Sequence, residues 1–177
     1  MHTGSACATA LAVPVLGSLR LTGATVPGDV VYTKKVDAAV TVAHVIAGLA
    51  TPFSVGVIGN AITVNSATDG AGLATTTAND IVAGILGSVA ASALVSSVAV
   101  GTGLGLIAAY GATGFADSQV AYTPKVEGVQ VRHGNPGASN TAISVVVSGK
   151  YITVYPVTDA NGIQTSTATA IAAAVNA

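Results

Sequence analysis

The same series of short motifs is written twice between residues 30 and 173, and this duplication limits the fold more than anything else in the chain. The first pass reads Val-Val-Tyr-Thr-Lys-Lys-Val (30–36), Val-Thr-Val-Ala-His (40–44), Phe-Ser-Val-Gly-Val-Ile-Gly (53–59) and Ala-Ile-Thr-Val (61–64). It closes with Thr-Asp-Gly-Ala-Gly-Leu (68–73) and Thr-Thr-Thr-Ala-Asn-Asp-Ile-Val-Ala (75–83). The second pass, about ninety residues later, reads Val-Ala-Tyr-Thr-Pro-Lys-Val (120–126), Val-Gln-Val-Arg-His (129–133), Ile-Ser-Val-Val-Val-Ser-Gly (143–149) and Tyr-Ile-Thr-Val (151–154). It closes with Thr-Asp-Ala-Asn-Gly-Ile (158–163) and Thr-Ser-Thr-Ala-Thr-Ala-Ile-Ala-Ala (165–173). Composition alone does not reproduce order and spacing together, so the chain is one supersecondary module used twice.

Within each pass, β-branched residues alternate with polar ones over 30–36, 40–45, 53–58 and 61–65, the period of half-buried strands. Gly59-Asn60 and its counterpart Gly149-Lys150 sit between two such runs and predict tight hairpin turns. After Asp69 the period changes. Ile81, Val82, Ile85, Leu86 and Val89 fall at helical spacing, with Thr75–Thr77 offering N-cap hydroxyls. Gly84 and Gly87 each weaken such a helix by about 1 kcal/mol relative to Ala, so packing has to hold it. In the second pass the helix is expected over 165–175.

Residues 94–100 and 106–112 predict an extra strand pair joined by the Gly101-Thr102-Gly103-Leu104-Gly105 turn. Upstream, Pro14 and Pro27 punctuate an extended arm with a short alternating run at 19–23, expected to reach a neighbouring subunit, so that deleting 1–27 abolishes assembly binding while leaving both modules folded. The expected organisation is an N-terminal arm (1–27), a first module with the extra strand pair (28–112), a linker (113–119) and a second module (120–177). The fold class is α+β, β-rich: two tandem repeats, each a small antiparallel sheet or sandwich with one covering helix.

Charge narrows the function. Six Lys and Arg and seven Asp and Glu amount to 7% of the chain, against about 25% in an ordinary soluble domain. The apolar half is mostly Ala and Val, which suits flat, closely packed strands and surfaces that meet other copies. A net charge of −1 gives no electrostatic case for nucleic acid or an anionic membrane. The run 81–100 is broken by glycines and serines and does not read as a membrane span. The apolar stretch 8–16 has no Lys or Arg before it and does not read as a signal peptide. A single cysteine, Cys7, excludes an intrachain disulfide and reads as a small buried hydrophobe.

Candidate reactive residues are few. His44 and His133 end equivalent strands, and duplication of one structural histidine accounts for both without a metal. Asp69 and Asp159 open Asp-x-x-Gly turns, with too few neighbouring oxygens for a calcium loop. The segment 101–105 shares only letters with phosphate-binding loops, because a strand rather than a helix is expected to follow it. Tyr32, Tyr122, Tyr151 and Tyr155 read as core or interface anchors, and Lys34, Lys35 and Lys125 as residues of a solvated or edge strand. The expectation is therefore no enzyme, with no catalytic residue, cofactor or metal.

The series Tyr-Thr-x-Lys, Val-x-Val-x-His, Ser-Val-x-Val-x-Gly, Ile-Thr-Val, Thr-Asp-x-x-Gly, Thr-x-Thr-Ala-x-x-Ile resembles a repeat module of virion structural proteins of tailed bacteriophages. Ala91-Ser92-Ala93-Leu94-Val95 matches the segment that follows the helix there. The resemblance covers both modules and leaves out the arm. It implies a capsid-associated or tail-associated structural protein; the low charge, the duplicated module, the free arm and the lack of a site favour a head decoration (cement) protein on the capsid surface, made in the host cytoplasm, whose partners are its own copies and the major capsid protein, with no nucleic acid or membrane. A tail, collar or fibre component, or a secreted glycan-binding module, is the alternative.

Overall fold

The computed structural model describes residues 10–116 and 118–177, so the reading of Cys7 lies outside the described residues. The elements run β1 (Ala10–Val15), β2 (Ser18–Leu21), β3 (Val30–Lys34), β4 (Thr41–Val45), β5 (Ser54–Ile58), β6 (Ala61–Asn65), α1 (Ala78–Gly87) and α2 (Val89–Leu94). They continue with β7 (Val95–Ala99), β8 (Tyr110–Gly114), β9 (Gln119–Pro124), β10 (Gln130–His133), β11 (Ser144–Ser148), β12 (Tyr151–Tyr155) and α3 (Ala168–Asn176). The protein is α+β and β-rich, as expected. It divides into two compact units, Leu16–Asp117 and Met1–Val15 with Ser118–Ala177.

The unit Leu16–Asp117 holds two sheets, ordered β2-β3-β7 and β5-β6-β4-β8. The strand alternation puts Val30 and Tyr32 of one sheet and Val42, Ile62 and Val64 of the other into a shared core, closed by Ile81 and Ile85 of α1. Each of these aliphatic side chains contributes roughly 1.5–3 kcal/mol by leaving water. Helix α1 starts where the sequence supplies a capping box. Thr77 Oγ1 accepts from Asp80 N, and Thr77 N donates to Asp80 Oδ2 at 2.8 Å. Gly84 has a packing reason to be in this helix, since a Cβ there would run into the Phe53 ring.

The second unit repeats the plan. Its sheet β10-β12-β11 matches β4-β6-β5 in order, direction and register: His44 lies opposite Val64, and His133 opposite Val154. Loop contacts are copied as well. Thr51 and Thr68 share a hydroxyl hydrogen bond at 2.7 Å, and Thr141 and Thr158 one at 2.8 Å. Asp69 Oδ1 accepts from Ala71 N and Leu73 N, and Asp159 Oδ1 from Asn161 N and Ile163 N, the turn role expected of both. The hairpin glycines Gly59 and Gly149 both adopt φ of 58°.

Several expectations are corrected. The sheets are not purely antiparallel: β4 and β6 run parallel, as do β10 and β12, with the hairpin strand placed outside. Gly101–Gly105 is not a hairpin turn, because β7 pairs with β3 and β8 with β4, in different sheets. The loop instead closes over the start of α1, where Ala78 N donates to the Gly105 carbonyl and Asn79 N to the Gly103 carbonyl. Gly105 is required there, since a Cβ would collide with the backbone of Thr25, Pro27 and Gly28. Val89 belongs to the separate helix α2, and the second expected extra strand lies later, at β8. Lys34 is not on a solvated edge. It is buried on the central strand β3, with Nζ donating to the Ala38 carbonyl.

The largest correction concerns the arm. The described part of the expected arm 1–27, residues 10–27, does not form one appendage: β2 pairs with β3 in one unit, and β1 pairs with β9 in the other. Ala10 and Ala12 are core residues of the second unit, so the segment is not dispensable to its packing. β1 occupies the place that β7 holds in the first unit. Ser97 lies opposite Tyr32 and Ala12 opposite Tyr122, and the module's helix packs on β7 in one case and on β1 in the other. The first module takes this strand from the residues after its helix, and the second takes it from the beginning of the described chain. The expected linker 113–119 is likewise occupied in part by the ends of β8 and β9.

Candidate functional site

The duplicated tyrosine and histidine are brought together in both units. Tyr32 Oη lies 2.7 Å from His44 Nε2, and Tyr122 Oη 3.0 Å from His133 Nε2, each pair with edge-on rings. The strands place them: Tyr32 and Tyr122 on equivalent positions of β3 and β9, His44 and His133 at equivalent positions of β4 and β10.

Their surroundings differ. Tyr32 and His44 are 0% and 2% exposed. Tyr110, delivered by β8, packs edge-on against His44 from the other side, with ring centroids 6.1 Å apart. Burial lowers His44 to about 4, opposed in part by the Ala108 backbone. That contact falls short of hydrogen-bond geometry, and His44 Nδ1 is buried without a partner. Burial also raises the Tyr32 phenol far above its usual range. His44 is therefore a neutral ring that shares a hydrogen bond with the Tyr32 hydroxyl, closed to any substrate. In the second unit His133 is exposed, and burial raises Tyr122 while leaving it partly open.

Four carboxylates have local structural roles. Asp29 accepts from Gly23 N and from Arg20, and those two contacts hold its carboxyl below the usual range. Asp80 closes the capping box, and Asp69 and Asp159 close turns. Among the described residues no three His, Cys, Asp or Glu side chains cluster to hold a metal. In the 101–105 loop, carbonyls rather than amides face the helix start and occupy the N–H groups an anion would need. No helix among the described residues is long and apolar enough to cross a membrane.

Two residues important to this geometry carry no local sequence signal. Tyr110 lies in the expected strand 106–112, but nothing there says that the strand pairs with β4 and sets the ring against His44. Asn176, near the last helical turn, holds the backbone of β1. Only the unequal partners of the two modules reveal either role. No protein-family model matches the chain, and searches of curated proteins and of solved structures give no match.

Proposed function

We propose that this chain is a non-enzymatic structural protein of a tailed-bacteriophage particle, a head decoration protein that works as a homo-oligomer on the shell. The observation that carries the reading is a surface rich in large apolar side chains on a chain with very little charge. Ile58, Leu86 and Val89 are 87%, 78% and 86% exposed, and Leu49, Leu73 and Leu104 are also exposed. Surfaces of this composition favour contact with protein over permanent exposure to water. The tyrosine–histidine pairs fit the same reading, because each serves its own module's packing. The bacteriophage assignment itself rests on the motif resemblance.

The test is sedimentation of the purified chain with phage heads assembled without it. Binding at a fixed ratio of chain to capsid subunit supports the proposal. A chain that stays in the supernatant at all ratios, or attaches only to tails, contradicts it.

A further inference from the structure

The two units are assembled differently from the chain. The first is one continuous piece, Leu16–Asp117, whereas the second joins Ser118–Ala177 to the residues up to Val15. In the first unit, helix α2 ends at Leu94 and β7 begins at Val95, so that strand is tied covalently to the helices beside it. Its counterpart β1 has no such tie. Among the described residues it is the one element that its own unit holds by non-covalent contacts alone.

The seat of β1 is built for a single extended segment. β9 pairs with it antiparallel from Ala10 opposite Pro124 to Val15 opposite Gln119. Ala10 and Ala12 are buried in one core with Ile171, Ala172 and Val175 of α3, which leaves no room for larger side chains at either place. On the far edge of β1, Asn176 takes both backbone groups of Ala12. Alternation puts Pro14, which has no N–H, on that same edge. The edge is closed to a further strand, so each seat takes one β1 and stops.

The strand itself is not made for water. Its sequence Ala-Leu-Ala-Val-Pro-Val carries no polar side chain. Leu11, Val13 and Val15, on the face opposite Ala10 and Ala12, are exposed. A strand with one solvated face normally places polar residues there, and β7 does so, with Ser96 at the position of Leu11.

We infer that β1 is exchanged between copies: residues 10–15 of one chain pair with β9 and pack on α3 of a second, whose own β1 fills the seat of another copy. The inference rests on the homo-oligomer reading above and specifies its contact. The same hydrogen bonds form within a chain and between chains, so effective concentration decides between the two, and the exchanged share grows with protein concentration. Every strand fills one seat, so a closed assembly leaves none empty, and the smallest is a two-fold dimer. Only Leu16 and Gly17 separate β1 from β2, so exchange brings the donor chain close to the acceptor beside Leu11, Val13 and Val15, the apolar face that is otherwise wet.

The test is disulfide trapping across the seat. Val13 and Ala121 lie opposite each other on β1 and β9 and both are exposed, so a cysteine pair there reports which strand is seated. In a Cys7→Ser background, Val13→Cys and Ala121→Cys are made as separate chains, mixed over a wide concentration range and oxidised. The mixture should give covalent dimers of twice the 17.0 kDa of one chain, identified by mass as one chain of each kind, in a yield that rises with concentration. Val13→Cys mixed with Leu73→Cys, an exposed residue of the first unit outside the seat, measures chance collision and should give far fewer. One chain carrying both Val13→Cys and Ala121→Cys, oxidised when dilute, should close within itself and so shows that the seat accepts the pair. If it closes, and the mixture never exceeds the collision control, β1 stays with its own chain and the inference is overturned. Sedimentation of the intact chain then separates the two readings: oligomers formed without exchange leave the homo-oligomer reading standing, and a monomer at every concentration removes it as well. A double variant that links neither within nor between chains overturns the seat itself.

Discussion

Asn176 grips Ala12 by both backbone groups: Ala12 N donates to Asn176 Oδ1 at 3.0 Å, and Asn176 Nδ2 donates to the Ala12 carbonyl at 2.7 Å. The side-chain amide behaves as one more strand partner for β1 and ties it to α3. Asn176→Ala removes both bonds and leaves the Ala12 groups to compete for water, at a cost of about 1–3 kcal/mol. Urea unfolding monitored by amide exchange should show the loss in β1, β9 and α3, with β3 and β7 unchanged. An equal loss in both units would contradict the assignment of β1 to the second.

Acid should weaken the unit that buries His44. The folded histidine stays neutral down to about 4, whereas an unfolded one takes a proton near 6.5. Below 6.5 the unfolded chain therefore binds more protons. The contribution is complete above that value and is lost as pH falls through the window to about 4, on the order of 3 kcal/mol in all. Unfolding free energies measured from pH 7 to pH 4, with the His44 ring followed by NMR, check both the direction and the group responsible. Stability that is flat across that range would refute it.

The two copies of one hydrogen bond should differ in worth. Tyr32→Phe strips the last partner from a buried imidazole whose Nδ1 is already unpaired, and should cost roughly 2–3 kcal/mol. Tyr122→Phe makes the same change beside an exposed His133, where water replaces the hydroxyl, and should cost about 0.5 kcal/mol. Equal costs in thermal denaturation would mean that burial does not separate the pairs.

Gly105 tests the loop that replaced the expected hairpin. Gly105→Ala drives a methyl group into the backbone of Thr25, Pro27 and Gly28 and should destabilise by on the order of 3 kcal/mol. Gly70→Ala, with nothing within 4 Å of the added carbon, should change stability by less than about 0.5 kcal/mol. Chemical denaturation of the two variants side by side decides it.

What the sequence revealed was local and periodic. Strands β3 to β6 and β9 to β12 announce themselves by alternation, α1 by Ile81 and Ile85 behind the Thr77 cap, and the hairpins by Gly59 and Gly149. What it concealed was partnership between distant segments. Nothing near Ala10 says that it pairs with Pro124, because Ala10 and Ala12 are small side chains whose burial follows from α3 lying over them. Lys34 reads as a surface residue until β2 and β7 are seen on either side of its strand. The parallel pairing of β4 with β6 was hidden by the hairpin, since adjacent strands in sequence normally suggest a simple antiparallel run.

One module is completed by β7 and the other by β1. Residue-resolved amide exchange of the intact chain at a concentration where it is monomeric tests this most directly. The exchange rate of Ala12, whose N–H is held by Asn176, should be slowed as strongly as those of β12. Exchange of Ala12 at the rate of an unstructured peptide, with β12 still protected, would return residues 10–15 to a free arm and contradict the account.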